Sequence, residues 1–487
     1  MHHHVEFPSL YSTLMLGGPK GSQEDTTWYD CKFYPYAAPD HPPVFAVTGA
    51  CHTVICRCIS DKDNAVEVLR WFKDDDPNAR LNSVCWARAD NGDPLVCVTG
   101  ESPVIKILNV KTGQVITTLA GHGESINDIA ISPTDPYLLA TASKDRSIRI
   151  WSLDPGHEKQ RTAAICHGEG HSEEVLAIGF HSNGKYLLSG GVDSRINLWH
   201  IPEIQKGGEL PDKCKSIHYP HFSSTEVHFD YVDCVQFYND LIISRQARQG
   251  IIIWRIDNFS SSSPVPPTPP VPTSNAIRST HSVEIPTSTN YDTRSAWGGS
   301  FQRLLSFNTP NIEKEFYLRF SLFQSPGLHP ILAAGNFAQS QVFFWDLQVL
   351  EDAGVGEPYS ITPAKQDRKP PFSAPLEALR TGSRSQSELS NDSSAPITTT
   401  KRNQKRQKTG GKKDAHTHHQ HQTSEDEKHQ SLNKGISDPY FKIPAHHVVA
   451  LQKYNLVGRQ VAWSMDGRWC VATGNFGLVA IFRRATA

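Results

Sequence analysis

The sequence predicts an all-β fold, a seven-bladed β-propeller with disordered insertions. Three observations predict it. A short strand ending recurs seven times along the 487 residues. Two of its copies close on a tryptophan that follows an aspartate and, further upstream, a Gly-His pair. The first five endings stand 43 to 55 residues apart, enough for one four-stranded blade of about 40–45 residues in each interval. A lone blade leaves both of its faces uncovered, so such a chain buries them by closing a ring.

The blades follow in order along the chain. Residues 1–27 hold an apolar stretch, Tyr11-Ser-Thr-Leu-Met-Leu16. It is expected to be the ring-closing strand, because the sequence stops a few residues after the last strand ending and leaves that blade one strand short. Pairing the two termini removes an open sheet edge. Residues 28–257 hold blades one to five, which end at Val54-Ile-Cys-Arg-Cys58, Val104-Ile-Lys-Ile-Leu108, Ser147-Ile-Arg-Ile-Trp151, Arg195-Ile-Asn-Leu-Trp199 and Ile251-Ile-Ile-Trp254. In the third and fourth, Asp145 and Asp193 stand six residues before the tryptophan, and Gly121-His122 and Gly170-His171 stand upstream. This is the WD40 signature. His122, Asp145 and Trp151, and likewise His171, Asp193 and Trp199, are expected to form buried hydrogen-bonded networks, since buried polar groups need partners. The histidines are then structural and are not ligands or bases.

The last two intervals are stretched. Residues 258–300 contain the run Ser260–Pro272, a Pro/Ser-rich insertion expected to be an extended linker. Residues 301–350 hold the sixth blade, ending at Val342-Phe-Phe-Trp345. Residues 440–487 hold the seventh, ending at Val479-Ala-Ile-Phe482. Between them, residues 363–439 are polar, nearly free of aromatics and expected to be disordered. Lys401, Arg402, Lys405 and Arg406 form a basic cluster there, which reads as a nuclear localisation signal or as a solvated charge run.

Composition narrows the function. The formal net charge is −2, which gives no case for direct sequence-specific DNA binding. Ten cysteines include no C-x-x-C pair, so no structural metal is expected and the thiols read as reduced. No apolar run approaches the ~18 residues that a membrane helix needs. Phosphate-binding, zinc-protease and serine-hydrolase motifs are missing from the sequence, so neither an enzyme nor a cofactor is expected.

The strands lining the central channel share a frame: a variable residue, three positions, then a large apolar one. The frames are Tyr29-x-x-x-Phe33, Asn82-x-x-x-Trp86, Asp233-x-x-x-Phe237, Phe316-x-x-x-Phe320 and Arg459-x-x-x-Trp463. Propeller symmetry gathers the first positions at one mouth, which then carries Tyr29, Phe316 and the adjacent Tyr317 with Asn82, Asp233 and Arg459. Aromatics around a hole with an acid nearby suit a methylated ammonium by cation–π attraction. The other reading is that these rings pack under loops.

Several stretches fall outside the general repeat. They include Gly121-His-Gly-Glu-Ser-Ile-Asn-Asp-Ile129, Ser143-Lys-Asp145, Glu169-Gly-His-Ser-Glu-Glu-Val-Leu176, Ile217-His-Tyr-Pro-His-Phe-Ser-Ser224, His228-Phe-Asp-Tyr-Val-Asp-Cys-Val235, Phe316-Tyr-Leu-Arg-Phe-Ser321 and Trp345-Asp-Leu347. With them the chain resembles the EED/Extra sex combs family over residues 28–255, 313–348 and 455–485. The resemblance implies a non-catalytic, nuclear scaffold of Polycomb repressive complex 2, acting in gene silencing. It implies that a helix of an E(z)-type SET-domain histone methyltransferase binds one propeller face, alongside other Polycomb subunits. It also implies that the other face reads trimethyl-lysine in the histone H3 tail and stimulates the enzyme. Of the family's four cage aromatics, three fall on Tyr29, Phe316 and Tyr317. The fourth, a tyrosine, falls on Asn82, a departure that opens the cage unless Trp28 or another side chain fills the gap. Arg459, Arg319, Lys144 and Asp233 fall on rim positions, the arginines to hold the peptide and Asp233 to favour the cation. Two other readings stand: a scaffold of the same complex without mark reading, and a substrate adaptor for a ubiquitin ligase.

Overall fold

Apolar strands punctuated by tight turns pair into seven sheets among the described residues of this computed structural model. Those residues are 6–17, 26–38, 40–61, 65–211, 213–248, 250–266, 293–309, 317–336, 340–354, 437–451 and 457–484, and all belong to one unit. Each sheet is a blade, with its innermost strand along the channel. The inner strands are Asp30–Phe33, Leu81–Arg88, Ile126–Ile131, Val175–Phe180, Val232–Tyr238, Phe320–Phe323 and Gly458–Trp463, in blades one to seven. Second and third strands are buried almost throughout because both of their faces meet a neighbouring blade. Trp86, Trp151, Trp199, Trp254 and Trp345 are among the largest wholly buried side chains.

The seventh blade takes its outer strand from the other end of the chain. Ser9–Met15 pairs antiparallel with Leu478–Arg483. The Tyr11 ring meets Trp469 edge-on at 5.4 Å, and the Arg483 guanidinium lies 5.3 Å and 5.0 Å from those two rings. Leu16 is buried, and its carbonyl accepts a 3.1 Å hydrogen bond from Trp28 Nε1. Trp28, wholly buried, thus anchors the N-terminal strand and does not fill a gap at the channel mouth.

The stretched intervals divide differently from the boundaries expected above. Phe301–Phe307, expected to open the sixth blade, is the outer strand of the fifth and pairs with Gly250–Ile256. His447–Ala450, expected within the seventh blade, is the outer strand of the sixth and pairs with Gln341–Asp346. Both insertions therefore interrupt a blade between its third and fourth strands. Outer strands carry no signature residue, so spacing alone could not assign them. The Pro/Ser insertion is also structured at both ends. Phe259, Val265 and Trp297 pack on the core between the fourth and fifth blades, and Arg294–Ser295 adds a fifth strand to the fourth blade. Residues 267–292 and 355–436 lie outside the described residues, and so do Lys401, Arg402, Lys405 and Arg406.

An α-helix, Leu347–Gly354, interrupts the all-β pattern among the described residues. Asp346 starts it: its Oδ1 accepts from the backbone N–H of Gln348 at 3.0 Å and of Val349 at 3.3 Å, a helix cap. The described cysteines are free thiols, mostly buried. Burial pushes Cys31, Cys56 and Cys234 up to about 12, which keeps them as unreactive thiols.

Candidate functional site

The networks that set the blades come first, because they hold the inner strands in register. His122 Nδ1 donates to Asp145 Oδ2 at 2.8 Å, while Nε2 accepts from Thr141 Oγ1 at 2.7 Å. That hydroxyl in turn accepts from Trp151 Nε1 at 2.7 Å. His171 repeats the pattern with Asp193 at 3.0 Å and Ser189 at 2.8 Å, and Ser189 accepts from Trp199 at 2.9 Å. Burial holds His122 below the ordinary histidine range despite Asp145 beside it. Burial alone would raise Asp145, but hydrogen bonds from His122, Ser147 and the Gly123 N–H hold it well below the carboxylate range. The fifth blade contains a third network that sequence reasoning missed. His228 Nδ1 donates to Gln246 Oε1 at 3.0 Å, and Nε2 accepts from Ser244 at 2.7 Å, which accepts from Trp254 at 2.9 Å. Glutamine replaces the usual aspartate here. The signal was the His228-to-Trp254 spacing, which is close to that of the two clear copies.

Strand register then fixes the channel. Trp254 pairs with Ile242, and Ile242 with Phe237; Trp345 pairs with Leu332, and Leu332 with Leu322. Leu322, not Phe320, therefore occupies the large apolar slot of the sixth blade, and Leu318 occupies its mouth position. The frame read from Phe316 is two residues out of step, and Phe316 itself lies outside the described residues. The mouth level thus holds Tyr29, Asn82, Asn127, Leu176, Asp233, Leu318 and Arg459.

Tyr317 still reaches this mouth. Its ring stands edge-on to Tyr29, with centroids 6.4 Å apart at 71°. Its hydroxyl donates to Asn127 Oδ1 at 2.8 Å, and Asn127 Nδ2 donates to the Val175 carbonyl at 3.0 Å. Tyr317 has φ +59°, a left-handed conformation that costs a bulky residue about 1–2 kcal/mol. Burial raises the Tyr317 phenol further above its ordinary range, so it remains a neutral donor. The Arg459 guanidinium lies 5.7 Å from the Tyr29 ring, and Arg319 lies 5.7 Å from the Tyr317 ring. Asn82 is half-buried, and its Oδ1 is enclosed with no hydrogen-bond partner.

One level down, the channel is closed by an ionic floor. Arg319 Nη1 donates to Asp128 Oδ1 at 2.6 Å, and its Nη2 donates to the Asn127 and Leu176 carbonyls, each at 3.1 Å. Ser83 Oγ lies 3.1 Å from Asp30 Oδ2 and 3.0 Å from Asp128 Oδ1, and Lys32 pairs with Asp30 at 3.2 Å. Burial opposes the Arg319 charge, but Asp128 and Asp30 outweigh it and hold the guanidinium fully protonated. Arg319 is therefore part of the floor and not a rim group free to hold a peptide. Asp233 is also wholly buried, and its carboxylate is committed to Arg245. Burial raises Asp233, against the pull of Arg245. It offers no open carboxylate to a cation at the rim. Lys144 does sit on the surface, 3.5 Å from Glu174 and 3.9 Å from Glu124, in an exposed ion pair of small energetic weight.

Beyond the floor the channel widens toward its other mouth into a cavity of about 980 Å³. Phe33, Trp86, Phe180, Phe237 and the exposed Leu328 and Met465 line it. No group of metal-ligating side chains occurs among the described residues, and no described helix is long and apolar enough to cross a membrane.

Seven blades, three of them held by His–Ser/Thr–Trp networks, around a tyrosine-bearing channel mouth define a WD40 β-propeller. The WD domain, G-beta repeat family model matches residues 113–152 and 164–200. Polycomb protein EED of Chaetomium thermophilum is 46% identical over 333 residues, 67% of this chain and 57% of that protein. Polycomb protein esc of Drosophila melanogaster is 29% identical over 231 residues, 44% of this chain and 53% of that protein. The matches thus span little more than half the length of these relatives. Among solved structures, the Chaetomium thermophilum polycomb repressive complex 2 matches with a TM-score of 0.75 at 34% identity, over 98% of each chain. Its complex with H3K27me3 matches with a TM-score of 0.74 at 33% identity, also over 98% of each chain. The chain belongs to the EED/Extra sex combs family of WD40 proteins.

Proposed function

We propose that this chain is the non-catalytic WD40 subunit of a Polycomb repressive complex 2 in the nucleus, and that its tyrosine-bearing mouth binds a methylated lysine of the histone H3 tail, trimethyl-lysine included. The observation that carries the reading is the Tyr29–Tyr317 pair, set edge-on at 6.4 Å and pinned through Asn127. Two fixed electron-rich rings attract a diffuse cation. The nearby carboxylates Asp30, Asp128 and Asp233 are each paired with Lys32, Arg319 or Arg245, so the rings carry the recognition. The opposite, apolar mouth suits an amphipathic helix laid into a groove, here a segment of a SET-domain methyltransferase. Methyl-lysine binding at the mouth would order a neighbouring segment of that enzyme and shift it toward its active state.

One observation favours a second reading, a scaffold of the same complex without mark reading. Arg459 and Arg319 each stand over one of the two rings. Affinity purification of the full chain, followed by methyltransferase assays with and without a trimethylated H3 peptide, separates these readings. A co-purifying SET-domain enzyme that the peptide stimulates, with stimulation lost in Tyr317→Ala, supports the first. An enzyme indifferent to the peptide leaves the scaffold. Cullin-type partners without a methyltransferase would point to a ubiquitin-ligase adaptor and contradict both.

A further inference from the structure

We infer that the cavity behind the ionic floor binds a small amphipathic carboxylate, a fatty acid being the simplest, with its head on Lys32 and its chain along the aromatic wall. The inference does not rest on the methyl-lysine reading, whose rings lie on the other side of the floor.

One strand supplies the partner for the head. In Asp30–Phe33, the innermost strand of the first blade, Asp30 and Lys32 share a face because side chains alternate along a strand. They pair at 3.2 Å, but unequally: the Asp30 side chain is 0% exposed and the Lys32 side chain 37%. The acid is also engaged on its other oxygen, where Asp30 Oδ2 accepts from Ser83 Oγ at 3.1 Å and from the Val84 N–H at 3.0 Å. Arg319 and Asp128, the second ion pair of the floor, are both buried. The floor is therefore neutral in sum, yet the charge it leaves open in the cavity is the Lys32 cation. Burial opposes that charge, but Asp30 outweighs it and holds the ammonium protonated above its ordinary range. A lysine ammonium has three donors, and one Asp30 oxygen engages it. Donors remain for a ligand carboxylate, in the charge-assisted kind of hydrogen bond that is the stronger one.

The wall begins on the same strand. Phe33 follows Lys32, and Trp86 Nε1 donates to the Lys32 carbonyl at 2.8 Å, which seats that ring close to the head-group position. Phe180 and Phe237 extend the apolar lining, and the exposed Leu328 and Met465 mark the mouth. The volume of about 980 Å³ lies within the ~300–1,000 Å³ of pockets that enclose a small organic ligand. One accessible cation at the closed end of an apolar cavity selects a ligand with one anionic end and an apolar body, because only such a ligand gains from both. The helix proposed above meets the rim at Leu328 and Met465; the carboxylate lies deeper, at the floor.

The test is calorimetric titration of the full-length chain with decanoate below its micelle concentration, beside decan-1-ol, decylammonium and acetate. Decanoate is expected to bind one-to-one and about tenfold more tightly than the alcohol. Decylammonium should bind more weakly still, and acetate, a head without a chain, should give no measurable binding. Lys32→Met alone would strand Asp30, so it is combined with Asp30→Asn, and a thermal melt shows that the ring is intact. This double variant should bring decanoate down to the level of the alcohol and change the alcohol by less than about twofold. Crosslinking the wild type with a diazirine-bearing fatty acid needs no variant to fold, and its label should fall on residues that line the cavity. Acid and alcohol bound alike, a preference for the acid that survives the double variant, binding without one-to-one saturation, or label confined to other surfaces would each overturn the inference and leave the methyl-lysine reading untouched.

Discussion

The Tyr317 hydroxyl donates a 2.8 Å hydrogen bond to Asn127 Oδ1, tying the sixth blade to the third across the channel mouth. A tyrosine held in the left-handed region needs such a tether, because its backbone conformation is unfavourable on its own. The tether fixes the ring beside Tyr29, and binding need not order it first. Tyr317→Phe keeps the ring but frees it. It should weaken a trimethylated peptide about two- to fivefold, whereas Tyr317→Ala should weaken it about tenfold or more. Equal losses in the two variants would show that the tether, not the ring, is what matters.

The floor offers a stability test. Arg319 and Asp128 form a buried pair, and removing one partner of such a pair destabilises by about 3–5 kcal/mol because the other charge is stranded. Arg319→Met should therefore lower the melting temperature sharply. Arg319→Met combined with Asp128→Asn should recover part of the loss. If the single variant melts like the wild type, the pair does not hold the channel.

Ring closure by the N-terminal strand gives another. Deleting residues 1–20 removes Ser9–Met15, bares the edge of Leu478–Arg483 and leaves Trp469 without its Tyr11 partner. The whole ring, and not one blade, should melt at lower temperature, since blades support one another in sequence. An unchanged single transition would contradict this.

Buried neutral histidines set the response to acid. Burial lowers His228 to about 3, helped by Arg303 and Lys442 against its hydrogen bond to Gln246; burial also lowers His221 and His446 to about 4. An unfolded histidine titrates near 6.5. Below about 6.5 the unfolded chain takes up protons that the folded chain refuses. Stability that is present above that value is therefore lost as the pH falls toward 4. The melting temperature should be lower at pH 5 than at pH 7, and His228→Gln should show a shallower fall between those two pH values. A melting temperature that rises on acidification would contradict the assignment of these groups as neutral.

Much of the ring was legible because its signals are covalent spacings. Trp151 and Trp199 with their histidines mark two blades outright, and the missing outer strand of the last blade pointed to Tyr11–Leu16. The outer strands Phe301–Phe307 and His447–Ala450 were not legible, because an outer strand contributes only backbone pairing and a half-exposed face, which leave no distinctive residues. The site was legible as a neighbourhood but not as a set of roles. Sequence places Arg319 and Asp233 at the mouth, but only three-dimensional pairing shows that Asp128 and Arg245 claim them. The misread frame of the sixth blade has a similar cause: Phe320 and Leu322 are both large and apolar, and only the register with Leu332 and Trp345 tells them apart.

The most direct test of the account is titration of the full-length chain with one H3 peptide in unmodified and trimethylated forms. With two fixed rings each contributing on the order of 0.5–2 kcal/mol, the trimethylated peptide should bind about tenfold more tightly or better, and that advantage should vanish in Tyr29→Ala combined with Tyr317→Ala. Equal affinity for the two peptides in the wild type would contradict methyl-lysine reading and leave a scaffold.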